Sequence, residues 1–190
     1  AAAENEKDRA LFSYMEQVLR KVPENGADNL YEAIQSFLLI WQTMCMEQTP
    51  NPYAFSVGNA DRIFEPYRAA KDTDRELSAA LFKHLLVFFN VADRSWAISQ
   101  NLIVGGKSNE GRDLTNPTTY ALLDAYYDMN LPQTILSVKL HKNTPEELYR
   151  EMGKFFFTPG CLTPSLFNDD SVFPILEKAS GTDREDLQDY

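Results

Sequence analysis

Residues 101–116 read NLIVGGKSNEGRDLTN. A short apolar run rich in β-branched residues stops at two glycines. A hydrophilic turn follows, and then Thr115-Asn116-Pro117, with proline just inside the first turn of a helix. The run predicts a strand from Ser99 to Gly106 and a helix after Asn116. The two glycines raise the question of a phosphate cradle. A P-loop needs G-x-x-x-x-G-K-[ST], and Gly105-Gly106-Lys107-Ser108 lacks the earlier loop glycine. A dinucleotide fingerprint needs G-x-G-x-x-G opening a helix, which is also absent. Gly105-Gly106 therefore reads as a strand end where the backbone must approach a neighbour closely.

Working outward, the same alternation continues. The helix after Asn116 runs to about Asn130, and Gln133 to His141 alternates as a strand. Thr144-Pro-Glu-Glu opens a helix with Thr144 as its expected cap, ended by Thr158-Pro159-Gly160. Thr163 to Asn168 is extended, and residues 169–180 are helical with a proline interruption. A last helix is expected from Thr182 to Tyr190. Upstream, residues 5–22 form an amphipathic helix with Phe12, Met15, Val18 and Leu19 on one face. Asn29 caps a helix from Leu30 to Glu47, apolar nearly all round in its second half and expected to be deeply buried, with Cys45 and its methionines in the core. Thr49 to Tyr53 breaks the chain, Ala54 to Gly58 is extended, NADRIFEPYR ends in Pro66, and Thr73 to Phe89 is a long helix. Strands alternating with helices define a helix-rich α/β fold. The chain reads as a single partial domain over residues 1–190, with residues 1–25 as a peripheral helix and linker.

Composition narrows the function. The 190 residues carry 18 Lys and Arg against 28 Asp and Glu, a formal charge of −10, so no basic stripe is present for nucleic acid or an anionic membrane. The longest apolar run, Phe37 to Trp41, is far too short to span a bilayer. Two cysteines far apart, Cys45 and Cys161, and only two histidines, His84 and His141, give no clustered metal-ligand set and fit a reduced, cytoplasmic setting. No G-x-S-x-G elbow occurs. A small hydrolase would need His84 or His141 in a cleft beside a nucleophile, and His84 reads as structural. Asn168-Asp169-Asp170 follows a strand, and Gln100-Asn101 with Asn116 flanks another. Strand ends are where α/β folds bind ligands, and helix capping is the competing reading for both groups.

Five ordered segments together resemble one family. GADNLYEAIQSFLLIW (26–41) resembles P-A-x-[TS]-F-x-E-A-[LI]-Q, and FSVGNADRIFEPY (55–67) resembles S-x-G-R-x-D-Q-x-x-x-P-Y. NLIVGGKSNEGRDLTN resembles N-x-x-x-G-G-x-x-x-x-G-x-D-x-[TS]-N. QTILSVKLHKNTPEEL (133–148) resembles Q-P-x-[LI]-x-[VL]-[RK]-x-H, and GCLTPSLFNDDSVFPIL (160–176) resembles G-x-x-x-P-x-x-x-N-D-[DE]. The family is that of the glycyl radical enzymes, the pyruvate formate-lyase superfamily, and the resemblance lies nearer its dehydratase and lyase branch. It implies part of a ten-stranded α/β barrel, with Gly105-Gly106 as a strand-to-loop turn in the barrel wall.

The resemblance also implies an activity: radical lyase, dehydratase or acyltransferase chemistry on a small organic substrate, in cytoplasmic anaerobic metabolism. The parent would carry a glycyl radical installed by a radical-SAM activating enzyme, with a possible homo-oligomeric assembly. The family's radical cysteine lies in G-C-x-E-P, downstream of the N-D-[DE] helix, and its radical glycine in R-V-x-G-[YF]. Neither motif is in these residues, and Cys161 lies upstream of the N-D-D element. No catalytic residue, metal ligand or bound cofactor is assigned to this chain, and it is expected to be inactive alone. The candidate substrate-binding residues are Gln100, Asn101, Asn116, Phe167 and Asn168, near the mouths of predicted strands. One departure stands out: Asn59 and Arg62 flank Asp61 where the family has Arg and Gln, so a planar cation is lost at position 59. The alternative is a non-catalytic barrel remnant acting as a scaffold or interaction module.

Overall fold

A computed structural model of the protein describes residues 6–47, 55–91, 100–132, 134–181, 183 and 185–189. The expected break at Thr49 to Tyr53 lies outside them, as do Ala54, Ser99 and Gln133 at the starts of three expected strands.

In chain order the elements are α1 (Glu6–Lys21), α2 (Leu30–Glu47), β1 (Phe55–Asn59), α3 (Ala60–Ala69), α4 (Arg75–Val91), β2 (Gln100–Gly105), α5 (Pro117–Met129), β3 (Thr134–Leu140), α6 (Glu146–Phe157), β4 (Ser165–Asn168) and α7 (Asp169–Ser180), with a 3-10 turn at Leu187–Asp189. The sheet has four strands in the order β1-β2-β3-β4, all parallel. Parallel crossovers keep one hand, so strands that follow sequence order carry their helices on one face. On that face Leu102, Val104, Leu136 and Val138 are almost fully buried and share one core with Leu38, Trp41, Phe64, Phe82, Leu122 and Phe155 from the helices. Truncating one of these, such as Phe82 to Ala, costs about 3–5 kcal/mol.

Local chemistry fixes most element starts. Asn116 caps α5 by accepting from the backbone N–H of Thr118 and Thr119 at 3.0 and 3.3 Å, and Thr119 Oγ1 accepts from the Asn116 N–H in return. Asn29 accepts from the Glu32 N–H at the start of α2, and Asn168 accepts from the Asp170 N–H at the start of α7.

Several expectations are corrected. Thr144 does not cap α6; its Oγ1 accepts from the His141 N–H at 2.8 Å and closes the turn out of β3, while Pro145 O accepts from the Leu148 N–H. The second half of α2 is not buried all round. Leu30, Ile34, Leu38 and Trp41 form one fully buried stripe, whereas Ile40, Met44 and Met46 are exposed and Cys45 is half-buried. Packing against α3 and α4 covers only one side of this helix. In α1 only Val18 is buried, and Phe12 and Leu19 face outward. Pro66 does not end α3 but lies inside it, in its C-terminal half. Of the expected last helix only the 3-10 turn forms among the described residues; Thr182, Arg184 and Tyr190 lie outside them.

Candidate functional site

Register partners in a parallel sheet point to the same face, so the helix-free face can be read in rows. Ser56, Asn101 and Ile135 make one row. Asn59, Ile103, Ser137 and Ser165 make the next. Gly105, Lys139 and Phe167 make the third, at the C-terminal end. This face is mixed in polarity, where the other is apolar beyond Gln100 and Thr134 at its N-terminal end. Asn101 Nδ2 donates to Ser137 Oγ at 3.0 Å.

The third row explains the paired glycines. Lys139 is 2% exposed, and its Nζ reaches across β2 to donate to Asn59 Oδ1 at 3.2 Å on β1. A Cβ on Gly106 would lie 2.9 Å from Asp169 Oδ2 and 3.1 Å from Lys139 Cδ, and one on Gly105 would lie 2.8 Å from the Lys139 carbonyl oxygen. Both glycines have positive φ, +74° and +95°. Gly106 clears a path for the lysine side chain, Gly105 lets the backbone approach the Lys139 carbonyl, and the strand-to-loop reading of the turn holds. No helix opens there: residues 107–113 fold back as a hairpin-like loop, with a bridge between Lys107 and Asp113.

Buried carboxylates secure the same strand ends. Asp61 is fully buried and accepts from the Gly105 N–H at 2.7 Å, Thr119 Oγ1 at 2.6 Å and the Arg62 N–H at 2.8 Å. It joins α3, β2 and the start of α5. Burial raises its pKa to about 6, against the pull of those three donors. Asp169, also fully buried, accepts from the Lys107 N–H at 3.0 Å. Burial lowers the Lys139 pKa to about 8, and the Asp169 charge is the chief offset. Arg62 pairs with Asp189 at 3.2 Å, and Asn59 Nδ2 donates to the Asp189 carbonyl at 3.5 Å, so the 3-10 turn lies against β1. The cation absent from position 59 is thus matched by one at position 62, one helical turn on.

Beside this network lies a cleft of about 310 Å³ lined in part by Lys107, His141, Lys142, Asp170 and Phe173. Two of the charged side chains lining it pair with each other. Lys107 Nζ donates to Asp170, and His141 Nε2 bonds Asp113 Oδ1 at 3.0 Å while its Nδ1 accepts from the Asn143 N–H at 3.3 Å. Both imidazole nitrogens are occupied, so His141 has no nitrogen left to activate a nucleophile. His84 packs between the rings of Tyr31 and Phe88, and burial lowers its pKa. These placements remove the support for a histidine-dependent hydrolase.

The five candidate substrate-binding residues do not form one cluster. Asn101 and Phe167 share the helix-free face, in the first and third rows. Asn168 ends β4, with its side chain capping α7. The Asn116 carboxamide is committed to the α5 cap. Gln100 starts β2 and alternates with Leu102 and Val104, so it points to the helix-covered face, fully buried. Asp169 belongs to the Asn168-Asp169-Asp170 run that the sequence already singles out, but Ser137 and Lys139 were missed. Their signal was the alternation Ile135-Ser137-Lys139 against Leu136-Val138, which puts a lysine and a serine on the face opposite the core.

A parallel sheet wound in strand order, with helices on one face and polar rows on the other, is a segment of an α/β barrel wall. Residues 1–190 match the family described as pyruvate formate lyase-like, and the chain belongs to that family. It is 25% identical over 207 residues to an isethionate sulfite-lyase of Oleidesulfovibrio alaskensis, an alignment covering 100% of this chain and 24% of that protein. It is 26% identical over 192 residues to a (2S)-3-sulfopropanediol dehydratase of Klebsiella oxytoca, covering 92% and 22%. Among solved structures, a glycyl radical enzyme from Archaeoglobus fulgidus superposes with a TM-score of 0.87 at 25% identity, covering 98% of this chain and 26% of that one. The B12-independent glycerol dehydratase from Clostridium butyricum gives 0.85 at 27%, covering 99% and 25%. The similarity runs to the dehydratase and lyase branch of the glycyl radical enzymes, and the fold is a partial barrel of that type. The chain spans about a quarter of the length of the curated relatives it matches.

Proposed function

We propose that these residues form part of the substrate-enclosing wall of a glycyl radical lyase or dehydratase acting on a small polar organic molecule in the cytoplasm. The observation that carries this is the division of the sheet into an apolar face under the helices and a face bearing Asn101, Ser137 and Phe167. In a closed barrel the helix-free face looks inward. Asn101 and Ser137 offer neutral donors and acceptors to a hydroxyl or an acidic oxygen, and Phe167 offers an apolar surface. Lys139 is tied to Asn59 and Asp169 and serves to position the strand ends. Gln100, Asn116 and Asn168 contribute by shaping the wall, since their side chains point elsewhere or cap helices.

The radical-bearing cysteine and glycine belong to sequence outside these residues, because neither G-C-x-E-P nor R-V-x-G-[YF] occurs in them. The chain alone is therefore silent. In the whole protein a radical-SAM activating enzyme installs the radical, which ties the activity to anaerobic conditions.

The test begins with the coding sequence beyond Tyr190. An in-frame G-C-x-E-P, and a glycyl radical doublet in the EPR spectrum of the anaerobically activated full-length protein, are the expected results. Asn101→Ala and Phe167→Ala in that protein should then raise KM while leaving the radical signal intact. A full-length protein without the motif would leave a non-catalytic scaffold as the function. A radical-bearing protein with unchanged KM in both variants would remove these residues from the wall.

A further inference from the structure

At the other end of the sheet, on the helix-covered face, Gln100 and Thr134 stand side by side as register partners. They are 0% and 1% exposed. Gln100 Nε2 and Oε1 and Thr134 Oγ1 are all buried and, among the described residues, bonded to no protein group. Trp41 Nε1 and Asn90 Oδ1, farther along the helices, are also buried and unbonded among the described residues. Phe55 is the register partner of Gln100 on its other side. The Phe37 ring lies 6.3 Å from Phe55 and 5.4 Å from Phe89, and Trp41 stacks on Phe89 at 4.7 Å. Asn90 is the next residue in α4.

Polar atoms in an apolar layer are retained with hydrogen-bonding partners, since burying them unpaired is unfavourable. The chemistry of this set is specific. The Gln100 amide NH2 donates, its carbonyl oxygen accepts, and the Thr134 hydroxyl does either. Neither side chain is ionisable. The pair selects a neutral group that donates and accepts at once, and the apolar layer around it, with Leu102 and Leu136 next along the two strands, keeps it small. We infer that Gln100 and Thr134 form a buried binding site for a neutral hydroxylic guest, either water or a short alcohol. It lies on the opposite face of the sheet from the proposed substrate wall and does not depend on it.

Crystals of the chain grown without polyols, and the same crystals soaked in glycerol, test this directly. The expected result is a solvent oxygen within hydrogen-bond distance of the Gln100 amide and Thr134 Oγ1. Water persisting in the soak identifies a hydration site, and a glycerol oxygen in its place identifies an alcohol site. Gln100 and Thr134 bonded only to protein groups, or a dry corner, overturns the inference. In solution, the Gln100 side-chain amide protons should show cross-relaxation with long-lived water, and loss of that signal in Gln100→Leu/Thr134→Val confirms its origin. If the double variant does not fold, absence of the signal in the wild-type chain still refutes the site.

Discussion

The two ends of the sheet solve the same problem in different ways. At the C-terminal end, buried polar groups meet within the protein: Asp61 receives three donors, Lys139 donates to Asn59, and Asp169 holds the Lys107 N–H. At the N-terminal end, Gln100 and Thr134 sit in an apolar layer without protein partners among the described residues. The first arrangement specifies geometry, because a buried charge tolerates few alternative neighbours. The second leaves hydrogen-bonding capacity in place while apolar packing supplies the stability. A disturbance of equal chemical size should therefore be severe at one end and mild at the other.

Between the two ends of the sheet, the largest effect is expected at Gly106. Its φ of +95° is strained for any L-residue, and an added Cβ meets Asp169 Oδ2 at 2.9 Å and Lys139 Cβ at 3.3 Å. Left-handed strain of roughly 1–2 kcal/mol and overpacking of about 1–3 kcal/mol give Gly106→Ala a destabilisation of about 3 kcal/mol. Gly111→Ala is the control, since its φ is +81° but nothing lies within 4 Å of the added atom. Urea denaturation should show Gly106→Ala as clearly the worse of the two. Equal losses would mean that crowding around Lys139 contributes nothing and that the C-terminal end is less exacting than it looks.

Asp61→Ala comes next. It leaves the Gly105 and Arg62 N–H groups and the Thr119 hydroxyl without their acceptor. Orphaned buried donors cost about 1–3 kcal/mol each, and removing a desolvated carboxylate offsets part of this, so a net loss of about 2–3 kcal/mol is expected. A thermal melt shifted by less than the Gly111→Ala control would break the contrast between the two ends.

The same network should write a signature on pH. The folded pKa of Asp61 is raised, from 3.8 to about 6. Its contribution to stability is complete below the unfolded value and is lost as pH rises through about 6. The folded pKa of Lys139 is lowered, from 10.5 to about 8. Its contribution is complete above the unfolded value and is lost as pH falls through about 8. Relative to Asp61→Asn, the wild-type chain should lose stability between pH 3.8 and 6; relative to Lys139→Met, it should gain stability between pH 8 and 10.5. Flat difference curves in both windows would show that these groups do not feel their burial.

Much of this was legible in the sequence, for reasons tied to particular residues. The strand-to-helix order from Asn101 onward is carried by local signals: β-branched runs, the Asn116-Pro117 start and the glycine pair. The reason for the glycines was not legible, because Lys139 lies 33 residues on from Gly106 in the chain and crosses β2 only once the register is set. Thr144 fits a capping signature yet serves the turn before it, since a hydroxyl takes whichever backbone N–H is nearer. The α2 helix is apolar enough to suggest all-round burial, but burial depends on how many neighbours surround it. Among the candidate wall residues, Asn101 and Phe167 lie on different strands, and only the register through β3 puts them on one face. Gln100 is one residue out of phase with Asn101, and that single step sends it to the other side of the sheet.

The smallest expected effect lies there. Gln100→Leu is nearly isosteric, removes a polar group from an apolar layer and breaks no protein hydrogen bond among the described residues. Its loss of contact with a bound hydroxylic guest is offset by the gain from an apolar side chain among Phe55, Leu102 and Leu136. The net change should stay within about 1 kcal/mol of the wild-type chain, in either direction. The comparison with Asp61→Ala then isolates what pairing does, since both side chains are fully buried and both lie beside the sheet. A Gln100→Leu penalty as large as that of Asp61→Ala would show the amide held as firmly as the carboxylate. The N-terminal end would then be a second specified network, and the sheet would be fixed at both ends rather than at one.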